Sequence, residues 1–131
     1  MNSRLSLATA LLWLALPFTL VDYWRVWDQL PARMAIHFDI NWRANGFTTR
    51  EGAFTLTVGL VVFMLMVFSI TIFFMRRSPA PSFMPWVMIA FFYATMIFVC
   101  GINHWVVQYN LNSRSASMSP APSVELDQGS S

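Results

Sequence analysis

Apolar residues gather into long runs that polar segments separate. One run, Ala53 to Met75, holds 23 residues without a charged side chain, and another, Trp86 to Val107, holds 22 with His104 near its end. A helix of about 20 mostly apolar residues crosses the roughly 30 Å hydrocarbon core of a bilayer. Both runs therefore predict membrane-spanning helices.

A shorter apolar run, Leu5 to Val21, follows Arg4 and resembles the start of a signal peptide. No small-x-small cleavage site follows the run, which favours an uncleaved signal-anchor helix. Tyr and Trp residues after it suit the headgroup layer, so the helix is expected to continue to about residue 29. Pro31 should end it, because the residue before a proline avoids the helical region.

The boundaries of the other elements follow from turn and capping signals. Asn45-Gly46 indicates a turn, and Thr48 with Glu51 fits the spacing of a capping box. The pattern predicts a membrane domain over 1–110, with helices over about 5–29, 49–76 and 84–108 and a motif loop over 30–48. Residues 111–131, rich in Ser and Pro, are predicted to be a disordered tail.

Composition supports an integral membrane protein and excludes several other classes. Only 11% of the residues are charged, against about 25% in an ordinary soluble domain. The eight basic residues are scattered arginines, which does not favour nucleic-acid binding. The single cysteine, Cys100, lies in an apolar run and reads as a small buried hydrophobe. The predicted fold class is all-α, with three transmembrane helices and a short strand-like loop cap between the first two.

The distribution of basic residues gives conflicting indications of how the chain is oriented in the membrane. Arg4 and the Arg76-Arg77 pair would share one side of the membrane, and the positive-inside rule favours the cytoplasm for them. The 22–52 connection also carries four arginines, which argues for the reverse. We expect a cytoplasmic N-terminus. In either orientation, three spans place the long loop and the end of the third helix on the same side.

Small residues predict which helix faces pack together, because they let helix backbones approach closely in lipid. In the third helix the predicted stripe is Ala90, Ala94, Ile97, Gly101, His104 and Gln108; in the second it is Thr55, Gly59, Val62, Met66 and Ser69. The residues expected to face lipid are Met64, Phe68, Phe74, Phe92 and Phe98. The Ala90/Ala94/Gly101 face could also join a partner membrane protein or a second copy.

The motif loop alternates apolar and polar residues from Met34 to Asn41. A period of two predicts an extended strand with one apolar face, formed by Met34, Ile36, Phe38 and Ile40. His37 and Asp39 would then point the same way. The apolar face is expected to lie on the membrane surface or over the helix ends.

This loop resembles the motif of domain-of-unknown-function family 1648. The resemblance rests on Leu30-Pro31, Ile36-His37-Phe38-Asp39, Asn45-Gly46-Phe47 and Arg50, and it covers about residues 20–75. Ala35 stands where that family usually has proline, Arg43-Ala44 replaces a usual Gly-x-Pro, and Arg50 stands where lysine is commoner. The resemblance implies a bacterial membrane protein of unknown role. A longer relative is similar to toxin-immunity proteins that signal to a repressor.

Two interpretations of the motif remain open. In the structural one, His37 ties the loop to a helix end and Asp39 caps a turn or pairs with Arg33 or Arg43. In the functional one, both bind a peptide, a lipid headgroup or a partner protein. A zinc site needs three or four ligands, and only His37, Asp39 and His104 are candidates, so the sequence does not favour a metal site. It also contains no recognisable catalytic set or cofactor motif. His104 is interpreted as an interfacial side chain or a partner of His37, and as a binding candidate because it is ionisable within a span.

These observations predict a small multi-pass protein of the bacterial inner membrane with a binding or regulatory role and no enzymatic activity. Its expected partners are the lipid bilayer and a membrane protein. Two alternatives remain: a structural accessory subunit of a larger complex, and a metal- or proton-linked transport accessory that uses His37 and His104.

Overall fold

The computed structural model describes residues 2–79 and 81–118. Its helices are α1 (Asn2–Leu12), α2 (Ala15–Trp24), α3 (Arg50–Met75) and α4 (Met84–Met118), and a short 3-10 turn covers Trp27–Gln29. Strands β1 (Arg33–Phe38) and β2 (Ala44–Thr49) lie between α2 and α3. Three helical segments, Ser3–Trp24, Arg50–Met75 and Met84–Ser117, are long and apolar enough to cross a membrane. The chain is therefore a membrane protein with the predicted number of spans.

The first span is interrupted at Trp13 and Leu14, where α1 ends and α2 begins. Pro17 accounts for the break, because proline has no N–H to donate to the carbonyl four residues back and its ring crowds that carbonyl. The carbonyl of Trp13 instead accepts from Leu16 N at 3.2 Å. The Trp13 indole donates to Ser69 Oγ of α3 at 3.1 Å, which fixes the break against the neighbouring helix.

The first span also ends earlier than residue 29, the predicted boundary. Helix α2 stops at Trp24, and Val26 leaves the helical region with φ −122°. The carbonyl of Trp27 accepts from Arg50 Nη1 at 2.9 Å, and Leu30 turns inward to a position that is 2% exposed. Burial of Leu30 and the bond to Arg50 therefore end the helix before Pro31 can.

The predicted single strand is half of an antiparallel hairpin. Strand β1 pairs with β2 from Arg33↔Thr49 to Phe38↔Ala44, with irregular register around His37. Asn45-Gly46 lies inside β2, so the turn predicted there is wrong; the chain reverses at residues 39–43. The predicted apolar face is also wrong in part, because the irregular register buries Met34 and Ala35 and leaves Ile36 and Ile40 exposed.

Helix α3 begins with a threonine cap, although the predicted capping box is off by one residue. Thr49 is the N-cap, and its hydroxyl accepts from Gly52 N at 3.0 Å. Glu51 contacts the Arg50 guanidinium at 3.5 Å and is mostly exposed. One threonine oxygen therefore satisfies a free N–H at this helix start, without a reciprocal glutamate.

Helix α4 continues past the predicted end near residue 108. Residues 111–118, predicted to be part of the disordered tail, are helical; 119–131 lie outside the described residues. Arg114 explains the extension in part, because its Nη1 donates to the carbonyl of Asp28 at 3.0 Å. The hydroxyls of Ser113 and Ser115 donate to helix carbonyls four residues earlier, so their polar groups are satisfied within the helix.

The helices pack through large apolar side chains and not through the small-residue stripes. Phe68 of α3 and Phe92 of α4, predicted to face lipid, stack in the core with ring centroids 4.0 Å apart. Most of the predicted packing stripe is exposed, including Ala90, Ala94 and Gly101. The buried residues of this bundle core are Leu5, Leu12, Val61, Leu65, Phe68, Ile72, Ile89, Phe92 and Met96.

A second, smaller core lies under the hairpin. It joins all three spans to the strands and consists of Tyr23, Leu30, Met34, Ala53 and Val107. The Tyr23 hydroxyl lies 3.2 Å from Thr57 Oγ1 of α3, so its polar end is also satisfied. This cap core places the hairpin over the ends of α2, α3 and α4.

Candidate functional site

Asn110 of α4 fixes the inner edge of the hairpin. Its Oδ1 accepts from Ala35 N at 2.7 Å, and its Nδ2 donates to the Ala35 carbonyl at 2.9 Å and to the Val106 carbonyl at 2.8 Å. The side-chain amide therefore takes the place that a third strand would occupy beside β1. Asn110 is 3% exposed, so these bonds are shielded from water. The contact confirms that the loop and the end of the third span share a side.

Phe38 holds the far end of β1 against the same helix. Its ring meets Trp105 and Tyr109 edge to face, with both centroid distances at 4.9 Å. Trp42, in the turn, meets Trp105 at 5.3 Å. Aromatic pairs in this geometry are worth about 0.5–1.5 kcal/mol beyond their area. The hairpin is thus attached to α4 along its whole length.

Asp39 shapes the turn. Its Oδ1 accepts from the backbone N–H of Asn41 at 2.8 Å and of Arg43 at 2.9 Å, and its own N–H donates to the Arg43 carbonyl at 2.9 Å. These bonds agree with the predicted capping role of Asp39, and its carboxylate is occupied by backbone amides. Asp39 Oδ1 therefore helps to form the turn.

Gly46 permits the close approach of the two strands. A Cβ placed on Gly46 would lie 2.7 Å from the Cβ of His37, its strand partner. Any side chain there would push the strands apart. The motif glycine therefore serves strand contact and not the turn that the sequence indicated.

The remaining motif residues hold the base of the hairpin. Leu30 belongs to the cap core, and Pro31 follows it directly as the chain leaves the 3-10 turn for β1. Arg50 closes the hairpin: its N–H donates to the Ala32 carbonyl at 3.0 Å, and its guanidinium lies 4.6 Å over the ring of Trp27. Arg50 thus anchors the loop by a backbone bond, a side-chain bond and a cation–π contact.

His37 and Asn45 differ from these residues because they face outward. His37 Nδ1 lies 2.6 Å from Asn45 Oδ1 across the strands, an exposed pair. Phe47 is 53% exposed beside them, and the Arg33 guanidinium lies 5.8 Å over its ring. We call the surface formed by Arg33, Ile36, His37, Asn45 and Phe47 the hairpin face. The sequence predicted His37 and Asn45 as binding candidates. Ile36 and Phe47 belonged to the sequence motif and Arg33 was a possible partner of Asp39, but these three were not predicted to bind.

His104 belongs to a different place on the molecule. Its Nδ1 bonds Asp22 Oδ1 of α2 at 2.9 Å, whereas His37 bonds Asn45. The interpretation of His104 as a partner of His37 is therefore wrong. His104 borders an apolar groove of about 450 Å³ between the first span and α4, which Cys100 also lines. Within residues 2–79 and 81–118, no three His, Cys, Asp or Glu side chains are grouped so that they could hold a metal ion.

A comparison with protein families identifies the segment that carries this hairpin. Residues 6–61 match the family model described as "Domain of unknown function (DUF1648)". Residues 6–61 therefore form a DUF1648 domain. The match takes in most of the first span, the hairpin and the first part of α3, whereas α4, which also holds the hairpin, lies outside it. No curated protein and no solved structure matches the chain.

Two residues that make long-range contacts escaped sequence reasoning. Asn110 joins α4 to the hairpin and Asp22 joins α2 to α4, at sequence separations of 75 and 82 residues. A lone asparagine at a helix end and a lone aspartate after an apolar run carry no spacing signal. Their polarity beside apolar spans was the one hint available.

Proposed function

We propose that this protein, which contains a DUF1648 domain, is a binding protein of the bacterial inner membrane that recognises a partner through the hairpin face. One observation carries the proposal: His37 and Asn45 pair at 2.6 Å on the exposed side of a hairpin that other residues hold in place. The motif thus divides into residues that build the hairpin and residues that the hairpin presents. A surface that other residues hold rigid is preorganised for recognition.

Charge on the hairpin indicates the chemistry of the partner. Arg33 is the charged residue among the five that form the hairpin face, and it forms no ion pair within the described residues. The uncompensated charge is therefore positive, with an aromatic ring and an imidazole beside it. This combination favours an acidic segment of a partner protein, bound by arginine and packed on Phe47.

In this proposal the hairpin lies outside the cytoplasm and the N-terminus inside, as the positions of Arg4 and Arg76-Arg77 favour. A reporter that is active only outside the cytoplasm, fused after residue 118, should be active. A reporter that works only inside the cytoplasm would reverse the orientation if it were active there. The partner would then be sought in the cytoplasm.

Site-specific photo-cross-linking tests the proposal. A photoreactive amino acid replaces Phe47 on the hairpin face or, as a control, Phe63, which is 66% exposed in the middle of α3. Cells are irradiated and the protein is isolated from the membrane fraction. A discrete protein adduct at position 47 that is absent at position 63 supports binding. No adduct at 47, or the same adducts at both sites, would refute recognition by the hairpin face.

A structural accessory subunit is the second candidate, and the exposed small residues of α4 support it. A Cβ on Gly101 would meet nothing within 4 Å, so this glycine does not serve packing inside the chain. Small residues at an exposed face suit contact with another helix in lipid. Gly101→Leu should then abolish co-purification with a larger membrane partner while the isolated chain keeps its stability. Unchanged co-purification would count against this candidate.

A further inference from the structure

The tip of the hairpin exposes apolar side chains that the fold does not cover. Ile40 is 95% exposed and Trp42 is 66% exposed. Neither belongs to the hairpin face, and neither is buried by the cap core. Large apolar groups left outside a fold indicate a contact surface.

The backbone at Trp42 has an unusual conformation for such a large residue. Its φ is 59°, in the left-handed region that Gly and Asn enter most easily. This conformation is strained for any residue that has a Cβ. The turn would form more readily with glycine. The strained tryptophan therefore suggests that its side chain has a role outside the turn.

Helix α4 gives the depth of the tip. Trp86 and Trp105 are 19 residues apart, which corresponds to about 28 Å along a helix and matches the hydrocarbon thickness of about 30 Å. Tryptophan is enriched at both membrane interfaces. Trp105 therefore marks the interface on the hairpin side, and Trp42 contacts its ring at 5.3 Å.

The hairpin inclines toward this interface. Its base, at Ala35, bonds to Asn110, Phe38 packs between Tyr109 and Trp105, and the turn contacts Trp105. Five residues of helix separate Asn110 from Trp105, or about 7.5 Å of descent along α4. The tip is thus nearer to the hydrocarbon than the base.

We propose that the hairpin tip inserts Ile40 and Trp42 into the bilayer interface, as an anchor separate from the three spans. The adjacent Arg43 is exposed and has no ion pair within the described residues, so its guanidinium can bind lipid phosphates while the two apolar side chains enter the acyl boundary. The insertion leaves the hairpin face in water. It fixes the height and tilt at which a partner meets that face.

Spin labelling in vesicles tests the insertion. In a Cys100→Ser background, Ile40→Cys and Phe47→Cys are each labelled with a nitroxide and reconstituted into vesicles of phosphatidylethanolamine and phosphatidylglycerol. Oxygen concentrates in lipid and a nickel chelate in water. Oxygen should relax the label at 40 more strongly than nickel does, and the order should reverse at 47. Circular dichroism checks that both labelled proteins keep the helix content of the parent.

The outcomes separate this proposal from the binding proposal. Strong relaxation of the label at position 40 by nickel would overturn the insertion but would not affect the proposal that the hairpin face binds a partner. Lipid-like relaxation at 47 would instead remove the face from water and count against partner binding. Protection at 40 that disappears as the lipid-to-protein ratio rises would mean that a second copy covers the tip, which also overturns the insertion.

A second variant examines Trp42 itself. Trp42→Gly removes the interfacial ring and its contact with Trp105 but relieves the left-handed strain. The two effects oppose each other, so the melting temperature in detergent should change little. The label at 40 should nevertheless gain nickel accessibility in vesicles, because the tip has lost its anchor. Unchanged accessibility at 40 would show that Trp42 does not hold the tip in lipid.

Discussion

Replacement of Asn110 by alanine should detach the hairpin from α4. The variant loses three hydrogen bonds and leaves the N–H and C=O of Ala35 without partners at a site that is 2% exposed. Each buried polar group that loses its partner costs about 1–3 kcal/mol. The third bond, to Val106, matters less, because that carbonyl already belongs to a helix. Two such groups would cost about 2–6 kcal/mol, and water that reaches them once the hairpin detaches recovers part of this cost, so we expect a loss of about 2–4 kcal/mol for the docked hairpin.

Hydrogen exchange locates this loss, and a neighbouring residue provides the control. Asn112 has the same side chain two residues on but is exposed. In detergent, Asn110→Ala should raise exchange at the Ala35 amide by about 30-fold to 1,000-fold, which is 2–4 kcal/mol expressed as a rate ratio. Asn112→Ala should change it little. Equal exchange in the two variants would refute the idea that this amide acts as a third strand.

Other substitutions test the contacts inside the hairpin and between the helices. Gly46→Ala should destabilise the hairpin by about 1–3 kcal/mol, because its Cβ would meet that of His37, whereas Gly101→Ala has open space and should be neutral or stabilising; unfolding in detergent measures both, and equal effects would contradict the strand contact. Phe92→Ala should cost about 3 kcal/mol by removing half of a buried ring stack, whereas Phe98→Ala, at an exposed site, should cost little. A larger loss at Phe98 would reverse the assignment of helix faces.

The spans could be predicted from the sequence, but their packing faces could not. Length and hydropathy decide whether a helix crosses a membrane, and both are local properties. When a helix is apolar on all sides, its sequence pattern does not show which face packs against the protein. The choice between Phe92 and Ala94 as the buried residue therefore depended on shape complementarity between α3 and α4. The small-residue rule predicted that Ala94 is buried, whereas in the structure Phe92 is buried and stacks on Phe68.

The hairpin shows the same limit at a smaller scale. Asn45-Gly46 is a strong turn signal, yet Asp39 forms the turn by bonding two backbone amides, and the glycine is used for strand contact. The second strand was hidden because the turn was placed inside it. His37 was correctly selected as a candidate, but its partner and its exposure depended on the irregular register of β1.

The division of the motif into building and presenting residues is tested most directly by His37→Ala. The imidazole is exposed and bonds only to the exposed Asn45 within the described contacts, so its loss should leave the protein inserted and equally abundant. We expect the amount of protein in the membrane fraction, measured by immunoblot, to stay unchanged while the cross-linked adduct at position 47 is lost. Abundance that falls in step with the adduct would contradict this expectation, because His37 would then be part of the architecture and not of a binding surface.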